Sequence, residues 1–320
     1  MSLHLVTGSD DNYVPGVLVL IASAAFHTPG LSATVLDNGI SPANRARIDA
    51  LGPRLGITLR RIEIDPDAFA ALPVRRGHLT RSTYLRLLIP DLLPEADRVV
   101  YMDCDMVVTA DLAPLATLDL GRAVVAAVPD PAPAAPELAS TRIARGDYVN
   151  AGLLVMNLAV WRAEDIAGRC RALLTDPARP LLSEDQSALN IAAAGRILPL
   201  PSRFNVYADP AAYPDATAWP QDPAVIHHVV GLKPWIAAGV ELGGIWDWHA
   251  ARIGDLMPLR GPVKARHRLS ALNRQRKLLA GLAAGRGKYR ARWQVRAAMR
   301  RFAASYLARR SRAPGTGRVG

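Results

Sequence analysis

Along the first 250 residues, short apolar runs alternate with stretches whose apolar positions recur every three to four residues. Runs at 3–7, 32–36, 58–64, 98–102, 123–128, 152–157 and 224–228 predict strands. Between them, residues 14–26, 42–51, 82–89, 162–174 and 185–194 predict helices. Strands and helices in alternation predict an α/β class with a mixed, mostly parallel sheet flanked by helices. Residues 129–136, rich in Ala and Pro, read as a stiff loop, and 207–223, with four prolines, as a long irregular one. Irregular segments of that length are often lids or binding loops.

Composition adds boundaries. Half of the 320 residues are apolar and 21% are charged, which is ordinary globular composition and excludes a disordered or fibrous chain. Two cysteines, Cys104 and Cys170, exclude a disulfide-stapled scaffold. There is no run of 18 apolar residues to cross a bilayer, and residues 14–25 follow two aspartates instead of a basic leader. The expected location is cytoplasmic.

Charge divides the chain further. The formal net charge is +11, yet residues 260–320 hold 18 Lys and Arg and no acid, while residues 1–259 hold 21 basic and 28 acidic residues. This predicts a body over residues 1–255 and a basic tail over 256–320. In the tail, Leu269, Leu272, Leu279 and Leu282 recur at helical spacing, as do Val295, Met299, Phe302 and Tyr306. Basic amphipathic helices bearing Trp293, Phe302 and Tyr306 suit an anionic membrane surface, peripheral on its inner face. Packing on the body and binding to nucleic acid are the alternatives, the second being the poorer fit.

Ligands of open α/β sheets lie beyond the carboxyl ends of the strands. The residues found there are Gly8-Ser9-Asp10-Asp11-Asn12-Tyr13, Asp103-Cys104-Asp105, Pro129-Asp130, and His227 and His228 followed by Gly231-Leu232-Lys233-Pro234-Trp235. Asp103 and Asp105, two apart at a strand end, point the same way and can share one hard divalent cation. In apolar surroundings two uncompensated carboxylates are costly, and a metal removes that cost. Oxygen ligands suit Mg²⁺ or Mn²⁺, and an added imidazole favours Mn²⁺. Lys233 balances diphosphate charge, and Gly231 lets the backbone approach a ligand closely. Taken singly, such features also have plain structural readings: a capped turn at Asp10, and, on the predicted helices at 185–194 and 82–89, N-terminal helix charge at Asp185 and a surface arginine at Arg86.

Together, these residues resemble family 8 of the retaining glycosyltransferases, and most of all its bacterial lipooligosaccharide galactosyltransferase branch. The likeness runs in order through Asp10-Asp11-Asn12-Tyr13, Leu36-Asp37-Asn38-Gly39-Ile40-Ser41, Ser82-Thr83-Tyr84-Leu85-Arg86-Leu87 and Val100-Tyr101-Met102-Asp103-Cys104-Asp105. It continues through Asn150-Ala151-Gly152-Leu153-Leu154, Glu184-Asp185-Gln186, Ser202-Arg203-Phe204-Asn205 and residues 227–235, and stops near residue 250.

The resemblance implies a GT-A fold and Mn²⁺-dependent transfer of galactose or glucose from a UDP-hexose to a saccharide or glycolipid acceptor, as in surface-glycan synthesis. It implies Asp103, Asp105 and one histidine as metal ligands. Gly8, Asp10, Asn12, Tyr13, Gly231 and Lys233 would bind the nucleotide, and Arg86, Asp103, Asn150, Asp185 and Gln186 the donor sugar. Asp130 would face the acceptor. Relatives space the last motif His-x-x-Gly-x-x-Lys; here His227 keeps the distance to Lys233 and His228 the distance to Gly231, and His227 is preferred. Gln186, expected against the sugar and a poor nucleophile, and Asp185, a sugar-hydroxyl acceptor, are the candidate catalytic pair. Front-side attack is the expected route. A sugar nucleotidyltransferase would instead carry a glycine-rich basic loop after the first strand, where this chain is acidic. A non-catalytic basic-tailed adaptor would lack UDP affinity in the presence of Mn²⁺.

Overall fold

The structure is a computed structural model and describes residues 2–69, 72, 81–179, 181–229, 231–237, 239–261 and 263–312. The chain opens with β1 (His4–Ser9), α1 (Val14–His27), β2 (Ser32–Asp37), α2 (Pro42–Leu55) and β3 (Thr58–Glu63). Then come α3 (Ile89–Leu92), β4 (Arg98–Met102), β5 (Met106–Val108), α4 (Ala113–Ala116), β6 (Val125–Pro129) and α5 (Ala135–Thr141). The long strand β7 (Val149–Asn157) leads to α6 (Leu158–Ala163), α7 (Ile166–Thr175) and α8 (Glu184–Ala192). The short strands β8 (Ile197–Pro199), β9 (Val206–Tyr207) and β10 (Val225–His227) precede α9 (Gly243–Ile253), α10 (Ala265–Ala283) and α11 (Gly287–Arg312).

Among the described residues these strands form a seven-stranded sheet in the order β3-β2-β1-β4-β7-β6-β8 and a small sheet β5-β10-β9. In the large sheet only the pairs made by β7 are antiparallel. The expected mixed, mostly parallel α/β sheet is therefore the one observed. Strand order reverses at β1, whose parallel neighbours β2 and β4 lie on opposite sides, which opens a crevice at their carboxyl ends. Helix α1 is apolar all round because it is covered all round: Val17, Leu18 and Ile21 join the core under the large sheet, and Val19 the core under the small one.

Differences from expectation have local causes. Residues 82–89 are a 3-10 helix, Arg81–Leu87, followed by α3. Pro90 carries no N–H and would clash with the carbonyl of residue 86, so one α-helix cannot run through. The helix expected at 162–174 is broken, and Asp165, in the left-handed region at φ 45°, caps α7 by accepting from Gly168 N at 3.0 Å. Strands β5, β8 and β9 lie outside the strands the sequence predicts, and α5 begins inside the expected loop at 129–136.

The basic tail divides in two. On α11, Val295, Ala298, Met299 and Tyr306 are buried in the core below the small sheet. The Tyr306 hydroxyl meets Nε2 of His27 and Nε2 of His249, each at 2.8 Å. On α10, Leu269, Leu272 and Leu279 stay 67%, 60% and 57% exposed.

Candidate functional site

Asp103-Cys104-Asp105 is the corner at which the chain leaves β4 in the large sheet and enters β5 in the small one. Backbone bonds pin it on both sides: Asp103 N donates to Gly152 O at 2.7 Å, and His228 N donates to Asp105 O at 3.0 Å. Two glycines make room for it. A Cβ on Gly16 would lie 2.4 Å from the Cys104 carbonyl, and one on Gly152 would lie 2.4 Å from Cε1 of His227. Strand β10, paired through His227 to Met106, delivers the imidazole beside the corner.

Each aspartate has one oxygen held by a cation and one turned to a common point. Asp103 Oδ1 accepts from Arg86 Nη2 at 2.9 Å and from the Tyr101 hydroxyl at 2.8 Å, leaving Oδ2 3.8 Å from His227 Nε2. Asp105 Oδ2 takes Lys233 Nζ at 2.7 Å, and its Oδ1 lies 3.1 Å from the same His227 Nε2. Burial pushes the Asp105 carboxyl up, yet Lys233 and His227 outweigh it and hold the group well below the usual carboxylate range. Asp105 is thus an anion at any working pH. Burial also opposes the charge on Lys233, and Asp105 more than restores it.

The ligand atoms of Asp103, Asp105 and His227 lie within 4.8 Å of one another. Neighbouring ligands on an octahedral ion at about 2.1 Å stand about 3 Å apart, close to the Asp105–His227 separation. Two carboxylate oxygens and an imidazole nitrogen fit a hard or borderline divalent ion such as Mg²⁺ or Mn²⁺. His228 does not join them. It is buried, its pKa is pushed down to about 3 by burial, and its Nε2 has no hydrogen-bond partner among the described residues. Adjacent strand residues face opposite ways, so β10 can offer only one imidazole.

A cleft of about 700 Å³ opens from this corner. Gly8, Asp10, Tyr13, Arg86, Asn150, Asp130, Asp185, Gln186, Gly231 and Lys233 all line it, together with Asp103, Asp105 and His227. Asn12 is exposed and is not part of its lining. Asp10 caps the turn after β1 through Asn12 N at 3.0 Å, and Tyr13 stands edge-on to Trp235 at 5.5 Å. Gly231, at φ +83°, holds a conformation that side chains resist.

Arg86, 4% exposed, bridges Asp103 and Asp185: its Nη2 lies 2.9 Å from Asp103 Oδ1 and its Nε 3.0 Å from Asp185 Oδ2. Burial raises the Asp185 carboxyl to about 6 even against that attraction. Gln186 Oε1 accepts from Asn150 Nδ2 at 2.9 Å and from Ala151 N at 3.1 Å, so its lone pairs are engaged. Its Nε2 donates to the Tyr148 hydroxyl at 3.2 Å. Glu184, just before these residues, sits at φ +40°. Backbone strain at a buried helix start beside a cleft is typical of functional sites.

Residues not singled out from sequence also line the cleft: Tyr101, Tyr148, Tyr207 and Glu137. Tyr101 and Tyr148 precede Asp103 and Asn150 by two, the strand period that puts them on one face. Glu137 accepts from the Ser183 hydroxyl at 2.9 Å and ties α5 to the start of α8. Its place in an Ala/Pro-rich stretch gave no such signal.

Comparison with known proteins gives this geometry its family. Residues 4–239 match the family described as Glycosyl transferase family 8. The chain is 27% identical over 251 residues to General stress protein A of Bacillus subtilis, covering 73% of this chain and 87% of that protein. It is 26% identical over 251 residues to the lipopolysaccharide glucosyltransferase WaaO of Escherichia coli, covering 73% of each. Among solved structures it is similar to galactosyltransferase LgtC in complex with donor and acceptor sugar analogs, with TM-score 0.67 and 29% identity over 83% of this chain and 99% of that one. With a GT-A sheet, an acid-rich corner at its carboxyl edge and a family match over most of its length, the chain belongs to glycosyl transferase family 8 and is a hexosyltransferase.

Proposed function

We propose that the chain moves galactose or glucose from a UDP-hexose onto a saccharide or glycolipid acceptor in lipopolysaccharide or other surface-glycan synthesis, with retention at the anomeric carbon. One observation carries the reading: Asp103, Asp105 and His227 turn their unshared ligand atoms to one point at the mouth of a cleft that also holds Lys233, Arg86, Asp185 and Gln186. These three would hold the divalent ion, for which Mn²⁺ suits the mixed oxygen and nitrogen set. When bound, the ion supplies positive charge against the diphosphate oxygens of the leaving UDP.

The chain's own residues do the rest. Lys233, already cationic against Asp105, adds charge for the departing diphosphate. Tyr13, Asp10 and Gly8 form the nucleotide end, and Gly231 admits the phosphates to the backbone. Arg86 and Asp185 hold sugar hydroxyls, with Asp130 on the acceptor side. Gln186, whose carbonyl oxygen already accepts two N–H bonds, lines the sugar face as a fixed dipole rather than a nucleophile. The bond from C1 to the phosphate oxygen breaks as the acceptor oxygen attacks from the same face, and the acceptor proton passes to the released phosphate. A glycosyl adduct trapped on Asp185 would overturn that route.

Within the tail over residues 256–320, which follows the 1–255 domain, helix α10 is proposed as the membrane-facing element, peripheral on the cytoplasmic side. No helix among the described residues is long and apolar enough to cross a membrane. Helix α10 sets exposed Leu269, Leu272 and Leu279 among exposed Arg268, Arg274, Arg276 and Lys277, which suits an anionic lipid surface. Helix α11 carries basic residues too, but its apolar stripe is spent on the body. The deciding experiment incubates the protein with Mn²⁺ and a panel of UDP-sugars and follows UDP release. Turnover with UDP-galactose or UDP-glucose is expected, and no release from any donor, with or without saccharide, would end the reading.

A further inference from the structure

Two backbone N–H groups set the polarity of a buried hydrogen-bond chain across the floor of the cleft. A backbone N–H can only donate. Gly152 N donates to Asn150 Oδ1 at 2.9 Å, so the amide oxygen of Asn150 faces Gly152 and its Nδ2 faces Gln186 Oε1, 2.9 Å away. Ala151 N donates to that same Gln186 oxygen at 3.1 Å, which fixes the second carboxamide. The remaining contact to Asn150 Oδ1 comes from Asn205 Nδ2 at 2.7 Å. Asn205 therefore turns its own Oδ1 to His227 Nδ1, at 2.9 Å. An oxygen acceptor there requires a proton on Nδ1, so Nε2, 3.1 Å from Asp105 Oδ1, is the ring atom that gives up its proton when a cation takes its place between them. Asn205 and His227 are each 2% exposed and Asn150 is 6% exposed, so water does not offer an easy substitute for any link.

We propose that Asn205 is a positioning residue with two separable tasks. Its Oδ1 selects the Nδ1-protonated form of His227 and so presents Nε2 to the divalent ion. Its Nδ2 holds Asn150 and, through it, the carboxamide of Gln186 against the donor sugar. The metal corner and the sugar face are thereby oriented by one side chain. The hydrogen at Nδ1 stands on the hydrogen-bond geometry alone, whereas the consequence for turnover rests on the function proposed above.

The two tasks separate by substitution. Asn205→Asp keeps an acceptor for His227 Nδ1 and removes the donor to Asn150; Asn205→Ala removes both. Long-range ¹H–¹⁵N imidazole spectra of the metal-free protein, with His227 signals assigned by their loss in His227→Gln, should show Nδ1 protonated in the parent and in Asn205→Asp. In Asn205→Ala the proton should redistribute to Nε2. Mn²⁺ affinity with UDP present, read from free Mn²⁺ by electron paramagnetic resonance, should fall about 10- to 100-fold in Asn205→Ala and stay within about threefold in Asn205→Asp. At saturating metal and donor, kcat should fall about tenfold or more in both variants. An unprotonated Nδ1 in the parent overturns the proposal, as does equal Mn²⁺ affinity in the Ala and Asp variants. If Asn205→Ala fails to fold, Asn205→Asp decides alone: retained protonation with lowered kcat supports the proposal, and unchanged kcat defeats it. Absence of all sugar turnover would count against the proposed function, while the spectra and the metal affinities would still judge the role of Asn205.

Discussion

Replacing Gly152 by alanine tests the metal corner with a single methyl group. Its Cβ would stand 2.4 Å from His227 Cε1, 2.8 Å from Asn150 Oδ1 and 2.9 Å from Met106 Cε. Ordinary carbon contacts begin at about 3.5 Å, so the imidazole must retreat by roughly 1 Å. It cannot do so freely, because Nδ1 is bound to Asn205 at 2.9 Å and the backbone is paired in β10. Metal–ligand distances tolerate about 0.2 Å, so a shift of that size removes the nitrogen ligand. Mn²⁺ affinity in the presence of UDP should fall at least tenfold, and kcat by up to about 10²-fold. Overpacking should cost about 1–3 kcal/mol of stability. Gly146→Ala, where a Cβ meets nothing within 4 Å, is the control and should leave Mn²⁺ affinity and kcat unchanged. Calorimetric titration of Mn²⁺ into the UDP-loaded protein decides. An unchanged affinity in Gly152→Ala would refute the placement of His227 as a ligand.

Arg86→Ala strips buried Asp185 and half-buried Asp103 of their shared cation; stability should drop by about 3 kcal/mol in urea unfolding, and Arg86→Lys, lacking the fork, should recover only part of it. In the folded protein His249 is held down to about 2 and His27 to about 4, both chiefly by burial, so each stays neutral where the unfolded chain takes up a proton below about 6.5. Stability is thus complete above that pH and lost on acidification, by up to ~1.4 kcal/mol per pH unit for His249 and less for half-buried His27; unfolding midpoints that stay flat from pH 7.5 to 5 would contradict this. Changing Leu269, Leu272 and Leu279 together to serine should abolish binding to vesicles containing anionic lipid, seen by co-sedimentation, and leave UDP binding intact. Truncation near residue 258 is a poorer test, since it also removes Val295, Met299 and Tyr306 from the core.

Much of the fold was legible because β1, β2 and β4 are sandwiched strands five or six residues long, buried at every position but the first. Strands β5, β8 and β9, of two or three residues, have no period to detect, and their pairing is decided by residues far along the chain. At the site, Asp103, Asp105 and the doublet at 227 and 228 carried their chemistry in residue type and strand position. Choosing within the doublet needed the register of β10 on β5, which puts His227 opposite Met106. Asn205 and Glu137 were illegible as actors for a related reason: their partners lie 11 to 55 residues away, so only the folded chain joins them. The tail's two apolar stripes looked alike in sequence, and what separates them is whether a complementary surface exists, which α1 and α9 provide for α11 alone.

The mooring of Tyr306 to His27 spans 279 positions of the chain. During synthesis, α1 emerges long before the helix that seals it, and the apolar face it shares with that helix must wait, uncovered, until α11 has left the ribosome. A contact so distant in sequence closes late and slowly. Nascent chains stalled or cleaved before residue 306 should therefore be the species most prone to aggregate and most in need of a chaperone, although every residue of the reaction centre has by then been made.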